Sequence, residues 1–201
     1  MMNRRLFFNE SANTWNNRFY NKKLEDFLEQ IVPSFNLARD QRILDAGTGT
    51  GILIPFLLKA VGSKGHITAI DYAEKMVDVC KAKYGHLPNV SVKLQRIEKM
   101  DFAPESFDAI TCFGLFPHLN DKTDALNEMN RVLKPGGRLI RAHALSSTQL
   151  KVHHSNVAAV AHDVLPEEQE MKHLLKEAGF TSITIVDKPG CYLCISGKPS
   201  A

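Results

Sequence analysis

The residues with the most chemical content lie in Asp45-Ala46-Gly47-Thr48-Gly49-Thr50-Gly51, a run that follows the apolar Ile43-Leu44 and precedes the apolar Ile52-Leu53. Glycines at three alternate positions let backbone approach a ligand closely. A helix starting just beyond would add unpaired N–H groups and the positive end of its dipole, so the run reads as a nucleotide-binding loop. Asp71, 26 residues after Asp45, closes the next apolar run, His66-Ile67-Thr68-Ala69-Ile70, where a carboxylate can accept from ribose hydroxyls. Placed before Ala73-Glu74-Lys75 it can equally cap a helix, and one residue can do both. A second concentration is histidine: His143, His153, His154 and His162 fall within 20 residues, and Asp163 follows the last. Together with His118 these are the side chains of a Zn or Fe site, or of base catalysis and substrate binding, although a solvated insert would carry them too.

The elements that must position these groups alternate. Strand-like and helix-like stretches follow one another as strand 42 to 46, helix 51 to 61, strand 66 to 71, helix 73 to 84 and strand 90 to 95, which predicts a parallel sheet with helices on both faces. A strand near 107 to 113, a helix from about 121 to 133 and a strand near 137 to 144 continue the rhythm, with Lys134-Pro135-Gly136-Gly137 stopping the helix. After a helix near 167 to 178, two strands at 181 to 187 and 191 to 196 are separated only by Lys188-Pro189-Gly190 and must be antiparallel. Ahead of the sheet, Asn9 to about Phe35 has apolar residues at helical spacing (Leu24, Phe27, Leu28, Ile31) until Pro33, a helical cap.

With 201 residues, 44% of them hydrophobic and 23% charged, the chain fits one domain over 1–201, with residues 1–38 as cap and 145–166 as a histidine-bearing insert. A net charge of +3 with dispersed Lys and Arg argues against nucleic acid as partner, and the short apolar run near the N-terminus against a signal peptide or membrane span. A cytoplasmic protein is the expectation. Cys191 and Cys194 form a CxxC, but in a strand residues three apart point to opposite faces, so strand packing is expected rather than metal or redox chemistry.

The loop fails the dinucleotide spacing in both registers, since Ile52 or Ile54 occupies the last glycine slot. An acid followed by Gly-x-Gly-x-Gly resembles motif I of the class I S-adenosylmethionine (SAM) dependent methyltransferases. The segment Ser106-Phe107-Asp108-Ala109-Ile110-Thr111-Cys112-Phe113-Gly114 resembles that family's motif II, and Arg131-Val132-Leu133-Lys134-Pro135-Gly136-Gly137-Arg138-Leu139 resembles the post-motif of its ubiquinone and menaquinone methyltransferase group. The resemblance implies an α/β, Rossmann-like seven-stranded sheet in the order 3-2-1-4-5-7-6, mostly parallel with an antiparallel C-terminal hairpin. It also implies SAM as cofactor and a small-molecule acceptor.

By that resemblance Gly47, Thr48, Gly49 and Gly51 cradle the amino-acid and ribose parts of SAM, and Asp45 orders the loop. Asp71 takes the ribose hydroxyls, while Tyr72, Met76 and Ile97 surround adenine. Arg96 stands where many relatives have an acid for the adenine amino group. Phe113 and Phe116 would lie beside the reactive methyl, with Trp15, Phe19 and Tyr20 on a lid, although aromatic packing of helix on sheet explains each of these equally well. In-line methyl transfer needs alignment and exclusion of water more than catalytic groups, but an O–H or N–H acceptor needs a base, for which His118 and His143 are candidates. A metal set of His143, His154, His162 and Asp163 is the alternative use of the same residues. The rival functions are a non-catalytic SAM-binding or metal-sensing protein and a nicotinamide-dependent oxidoreductase.

Overall fold

The computed structural model describes residues 4–200; Met1 to Asn3 and Ala201, at the ends of the expected domain, lie outside the described residues. Helices α1 (Arg4–Ser11), α2 (Trp15–Phe19) and α3 (Lys22–Ile31) precede the sheet. The alternating part runs β1 (Arg42–Ala46), α4 (Ile54–Val61), β2 (His66–Asp71), α5 (Glu74–Tyr84), β3 (Val90–Leu94), β4 (Phe107–Phe113), α6 (Lys122–Val132) and β5 (Leu133–His143). It ends with α7 (Ser147–Ser155), α8 (Glu168–Glu177), β6 (Thr181–Lys188) and β7 (Cys191–Gly197).

Seven strands form one sheet in the order β3-β2-β1-β4-β5-β7-β6. The β1–β2, β1–β4, β2–β3 and β4–β5 pairs are parallel, while β7 is antiparallel to β5 and also to β6, the latter as the two-residue Pro189-Gly190 connection requires. The central strands are apolar on both faces because both are covered. On one face Ile43, Ile67 and Ile140 pack with Leu28, Ile54 and Leu57; on the other Leu44, Ile110 and Leu139 pack with Leu126, Met129, Met171 and Leu175. Cys191 belongs to the first layer and Cys194 to the second, so the CxxC thiols lie on opposite faces.

Three boundaries differ from the sequence expectation, each for a local reason. The cap is three helices rather than a continuous one: Tyr20 is extended at ψ 111°, and the Asn21 side chain accepts from the Leu24 N–H to start α3 afresh. Helix α4 begins at Ile54 rather than 51, because Gly51 has φ +82° and Thr48 to Ile54 instead close tight turns through Gly51 N–H to Thr48 O and Ile54 N–H to Gly51 O. Strand β5 begins at Leu133, paired with Phe107, and the Pro-Gly-Gly segment lies within it, beside a register shift between Phe107 and Ala109.

Gly51 does not border the cavity. A Cβ there would sit 2.6 Å from Tyr84 Cε2 and 2.9 Å from Cys80 Sγ, so this glycine exists to let the loop close against α5. Gly51→Ala therefore combines an unfavourable φ with overpacking and should cost about 1–3 kcal/mol of stability, read as a lowered midpoint in urea unfolding with unchanged m-value.

Candidate active site

A cavity of about 430 Å³ opens at the carboxyl edge of the sheet, walled by the loop after β1, the turns after β2, β3 and β4, the end of α7 with the segment beyond it, and the first two helices. Its floor is set by strand register. Asp45 lies beside Thr111 across the β1–β4 pair, and the Thr111 hydroxyl donates to Asp45 Oδ1 at 2.8 Å. Asp45 Oδ2 is buried without a well-formed hydrogen bond, the Thr48 hydroxyl being its near donor, and burial, against the pull of Thr48 and Thr111, pushes this carboxyl up to about 6. An under-satisfied acceptor bordering a cavity calls for a donor or a cation from whatever fills it.

The next carboxylate builds the loop itself. Asp71 Oδ2 accepts from the Gly49 N–H and Oδ1 from the Ala73 N–H, both at 2.9 Å. Burial raises the Asp71 pKa, and these two backbone donors pull against that. The N-cap residue of α5 is Ala73, so Asp71 ties together the β1 loop and the turn before α5 rather than capping the helix directly. With Tyr72 as a third backbone donor, its four lone pairs still leave acceptor capacity for a ligand hydroxyl. Gly49 has φ +55°, and a Cβ there would meet nothing nearer than Met76 Sδ at 4.0 Å, which leaves its cavity side open to a ligand. Thr48 holds the loop from the other side, its N–H donating to Ile70 O at 2.9 Å. An under-satisfied buried acceptor, an open glycine and a ribose-competent carboxylate suit the amino-acid and ribose portions of SAM.

The remaining expected residues divide. Gly47, Tyr72, Met76, Ile97, Phe113, Trp15 and Phe19 border the cavity together with His118, His143 and His154. Gly51, Tyr20 and Phe116 do not. Gly51 is taken up by packing against α5, and Tyr20 sits at the extended break after α2. Phe116 is 2% exposed beneath the Arg141 guanidinium, 5.3 Å above its ring. Arg96 borders the cavity, so the departure from the family's acid faces the expected adenine end.

The metal set is not assembled. Asp163 is shared between Arg4 and His118, His162 is exposed, and among the described residues no group of three or more His, Cys, Asp or Glu is placed to hold an ion. The histidines are instead fixed by individual partners. Asp163 Oδ2 accepts from His118 Nδ1 at 2.7 Å, which leaves Nε2 of His118 with the lone pair. Burial pushes the Asp163 carboxyl up, but the hydrogen bonds from His118 and Arg4 outweigh it and hold the group below its ordinary value. His154 Nδ1 donates to the Asp163 carbonyl at 2.5 Å. His143 Nδ1 accepts from the Leu145 N–H at 3.2 Å, so its proton resides on Nε2. Burial, with repulsion from His118, His154 and His153, lowers the His143 pKa to about 3. His143 is thus a neutral hydrogen-bond donor, which corrects its assignment as a base.

Several participants were not legible in the sequence. Phe8 packs on Trp15 at 5.8 Å, Tyr72 at 6.3 Å and His118 at 5.3 Å, closing the cavity from above. Thr50 Oγ donates to Asn16 Oδ1 at 2.5 Å and so joins the glycine loop to α2. The pairing of Asp163 with His118 spans 45 residues and leaves no local signature.

A sheet in this order, with only β7 antiparallel to its neighbours and with a glycine loop and a ribose-type acid at its carboxyl edge, defines a methyltransferase-type nucleotide-binding fold. The family model described as "Methyltransferase domain" matches residues 43–137. The demethylmenaquinone methyltransferase of Staphylococcus aureus strain JH9 is 31% identical over 182 residues, covering 78% of this chain and 75% of that protein. That of strain MRSA252 is 38% identical over 113 residues, 56% of this chain, and this chain spans 46% of its length, about half. A SAM-dependent methyltransferase from Aquifex aeolicus superposes with a TM-score of 0.71 at 27% identity, covering 85% of this chain and 88% of that one. A putative methyltransferase from Haloferax volcanii, solved with its Trm112 activator, shares the fold at TM-score 0.80 and 17% identity over 96% of this chain and 97% of that one. The chain belongs to the class I SAM-dependent methyltransferases, in the quinone-methyltransferase-like group.

Two outcomes are expected of the cofactor end. Asp71→Asn should weaken SAM affinity about 10- to 100-fold in calorimetric titration, since the amide keeps only one acceptor for the loop and the ribose. Wild-type affinity for the cationic SAM should rise as pH passes upward through about 6, where Asp45 gives up its proton, and Asp45→Asn should flatten that rise.

Proposed function

We propose that this protein methylates a small aromatic acceptor bearing an ionisable hydroxyl, with His118 as the base. The carrying observation is the His118–Asp163 pair at the cavity wall: the His118 side chain is 12% exposed, that of Asp163 1%, and they are 2.7 Å apart. Asp45, Gly49 and Asp71 would hold SAM, which supplies an electrophilic methyl on a sulfonium whose departing thioether is a good leaving group. His118 Nε2 takes the acceptor's proton, and Asp163 stabilises the imidazolium through Nδ1–H. The freed electron pair, on the oxygen or delocalised to a ring carbon, forms the new bond to the methyl carbon as the carbon–sulfur bond breaks. His143 Nε2–H donates to the acceptor and orients it. Phe8, Trp15, Phe19 and Phe113 supply faces for an aromatic ring and exclude water.

The reading agrees with relatives named for demethylmenaquinone methylation, and it takes residues 1–38 as a lid and 145–166 as an acceptor-side insert of one domain. A small molecule is favoured over nucleic acid by a cavity walled on most sides by aromatic and aliphatic groups. Among the described residues no helix is long and apolar enough to cross a membrane.

The test is transfer of isotope-labelled methyl from SAM to a panel of hydroquinones and phenols. His118→Gln should reduce kcat about 100-fold or more on any acceptor found, while SAM binding stays at the wild-type value. Full activity in that variant would remove His118 as the base.

A further inference from the structure

Three separate parts of the chain meet at one carboxylate. His118 comes from the turn after β4, Asp163 from the segment between α7 and α8, and Arg4 from the first turn of α1. Arg4 Nη2 donates to Asp163 Oδ1 while His118 Nδ1 donates to Oδ2, so the two oxygens serve different partners. Arg4 Nη1 also donates to Asn120 Oδ1, next to the His118 turn. Four residues along α1, on the same helix face as Arg4, the Phe8 ring lies edge-on to His118 at 5.3 Å. Seating α1 therefore brings two things to the site at once, a ring against the imidazole and a cation on its carboxylate.

A carboxylate held at one oxygen can still turn about its terminal torsion, which is broad, whereas one held at both oxygens has its plane fixed. With Oδ1 occupied by Arg4, Oδ2 is left facing His118, and the imidazole is held with Nε2 toward the cavity. We infer that Arg4 is a positioning residue for His118, so that closure of α1 over the acceptor and completion of the base are a single event. The inference rests on the proposed role of His118. It assigns α1 more than coverage: with α1 displaced, Asp163 loses one of its two hydrogen-bond partners and His118 its fixed orientation.

Among the described residues, Lys122 on α6 is a second cation near Asp163, but its ammonium donates to Leu119 O at 3.3 Å. Tyr72, His143, His153 and His154 face the same region from the turn after β2, from β5 and from α7, and none carries a permanent positive charge. The helix is independently fastened, through Arg5 and Asn9 to Glu74 and the Lys75 N–H to Asn9 Oδ1, so an Arg4 variant keeps α1 anchored to α5.

The experiment compares wild type, Arg4→Met and Arg4→Lys in two readouts. In nitrogen-resolved imidazole NMR spectra, wild type should give a slowly exchanging His118 Nδ1–H; Arg4→Met should broaden or lose it, and Arg4→Lys should restore it. In methyl-transfer assays Arg4→Met should lower kcat about tenfold with the KM for SAM unchanged, again rescued by Lys. A sharp Nδ1–H signal in Arg4→Met would overturn the inference. So would a loss that Lys does not rescue and that tracks a lower Tm, since that marks a merely structural contact. If His118→Gln keeps full activity while Arg4→Met still loses the Nδ1–H signal, the positioning stands and the base assignment alone fails.

Discussion

The site hangs on the burial of one carboxylate, Asp71, between two backbone donors. At the end of β2 it is removed from water, which penalises its charge, and it is held by N–H groups of Gly49 and Ala73 that belong to different loops. Those loops wall the same cavity, so the shape of the cofactor end follows from satisfying a single anion. The adjacent Asp45 is a complementary case: one oxygen is matched by Thr111 across the strands and the other is left without a well-formed hydrogen bond. Two neighbouring acids, one satisfied by the protein and one not, give the site a fixed frame and an open demand, which is the arrangement a charged ligand can complete.

Among the histidines of the cavity the same principle acts through the imidazole nitrogens. The hydrogen bond each makes at Nδ1 determines what the other nitrogen can do: His143 Nδ1 accepts a backbone N–H, which leaves Nε2–H as a donor, while His118 Nδ1–H donates to the Asp163 carboxylate, which leaves Nε2 to accept. A metal would require several of these nitrogens to converge with their lone pairs free, and these partners prevent it. The first helices complete the enclosure through Phe8 and Trp15, and through Asn16 they also touch the glycine loop, so cover and cofactor loop are mechanically linked.

Much of the frame was legible because it is periodic or local. The alternation of buried strands and amphipathic helices gave the parallel part of the sheet, and the three-residue connection before Cys191 required a hairpin whatever its surroundings. That Asp45, Gly49 and Asp71 meet at one cavity was legible because they sit at fixed offsets from strand ends. Gly51 misled for an instructive reason: its type and spacing match its neighbours, but a glycine that makes room for Tyr84 looks the same in sequence as one that makes room for a ligand. Phe116 misled likewise, since an aromatic after β4 can turn either into the cavity or under Arg141.

The sequence by itself determined the order of elements, the nucleotide loop and the opposed faces of Cys191 and Cys194, because each depends on backbone geometry over a few residues. Only the tertiary structure decided which histidine is an acceptor and which a donor, that Asp163 serves His118 rather than an ion, and that Arg4 and Phe8 reach the site at all. Hydrogen-bond partners separated by 45 residues, or by the whole length from α1 to α8, are chosen by how the layers pack, and nothing in the local pattern of either partner records that choice.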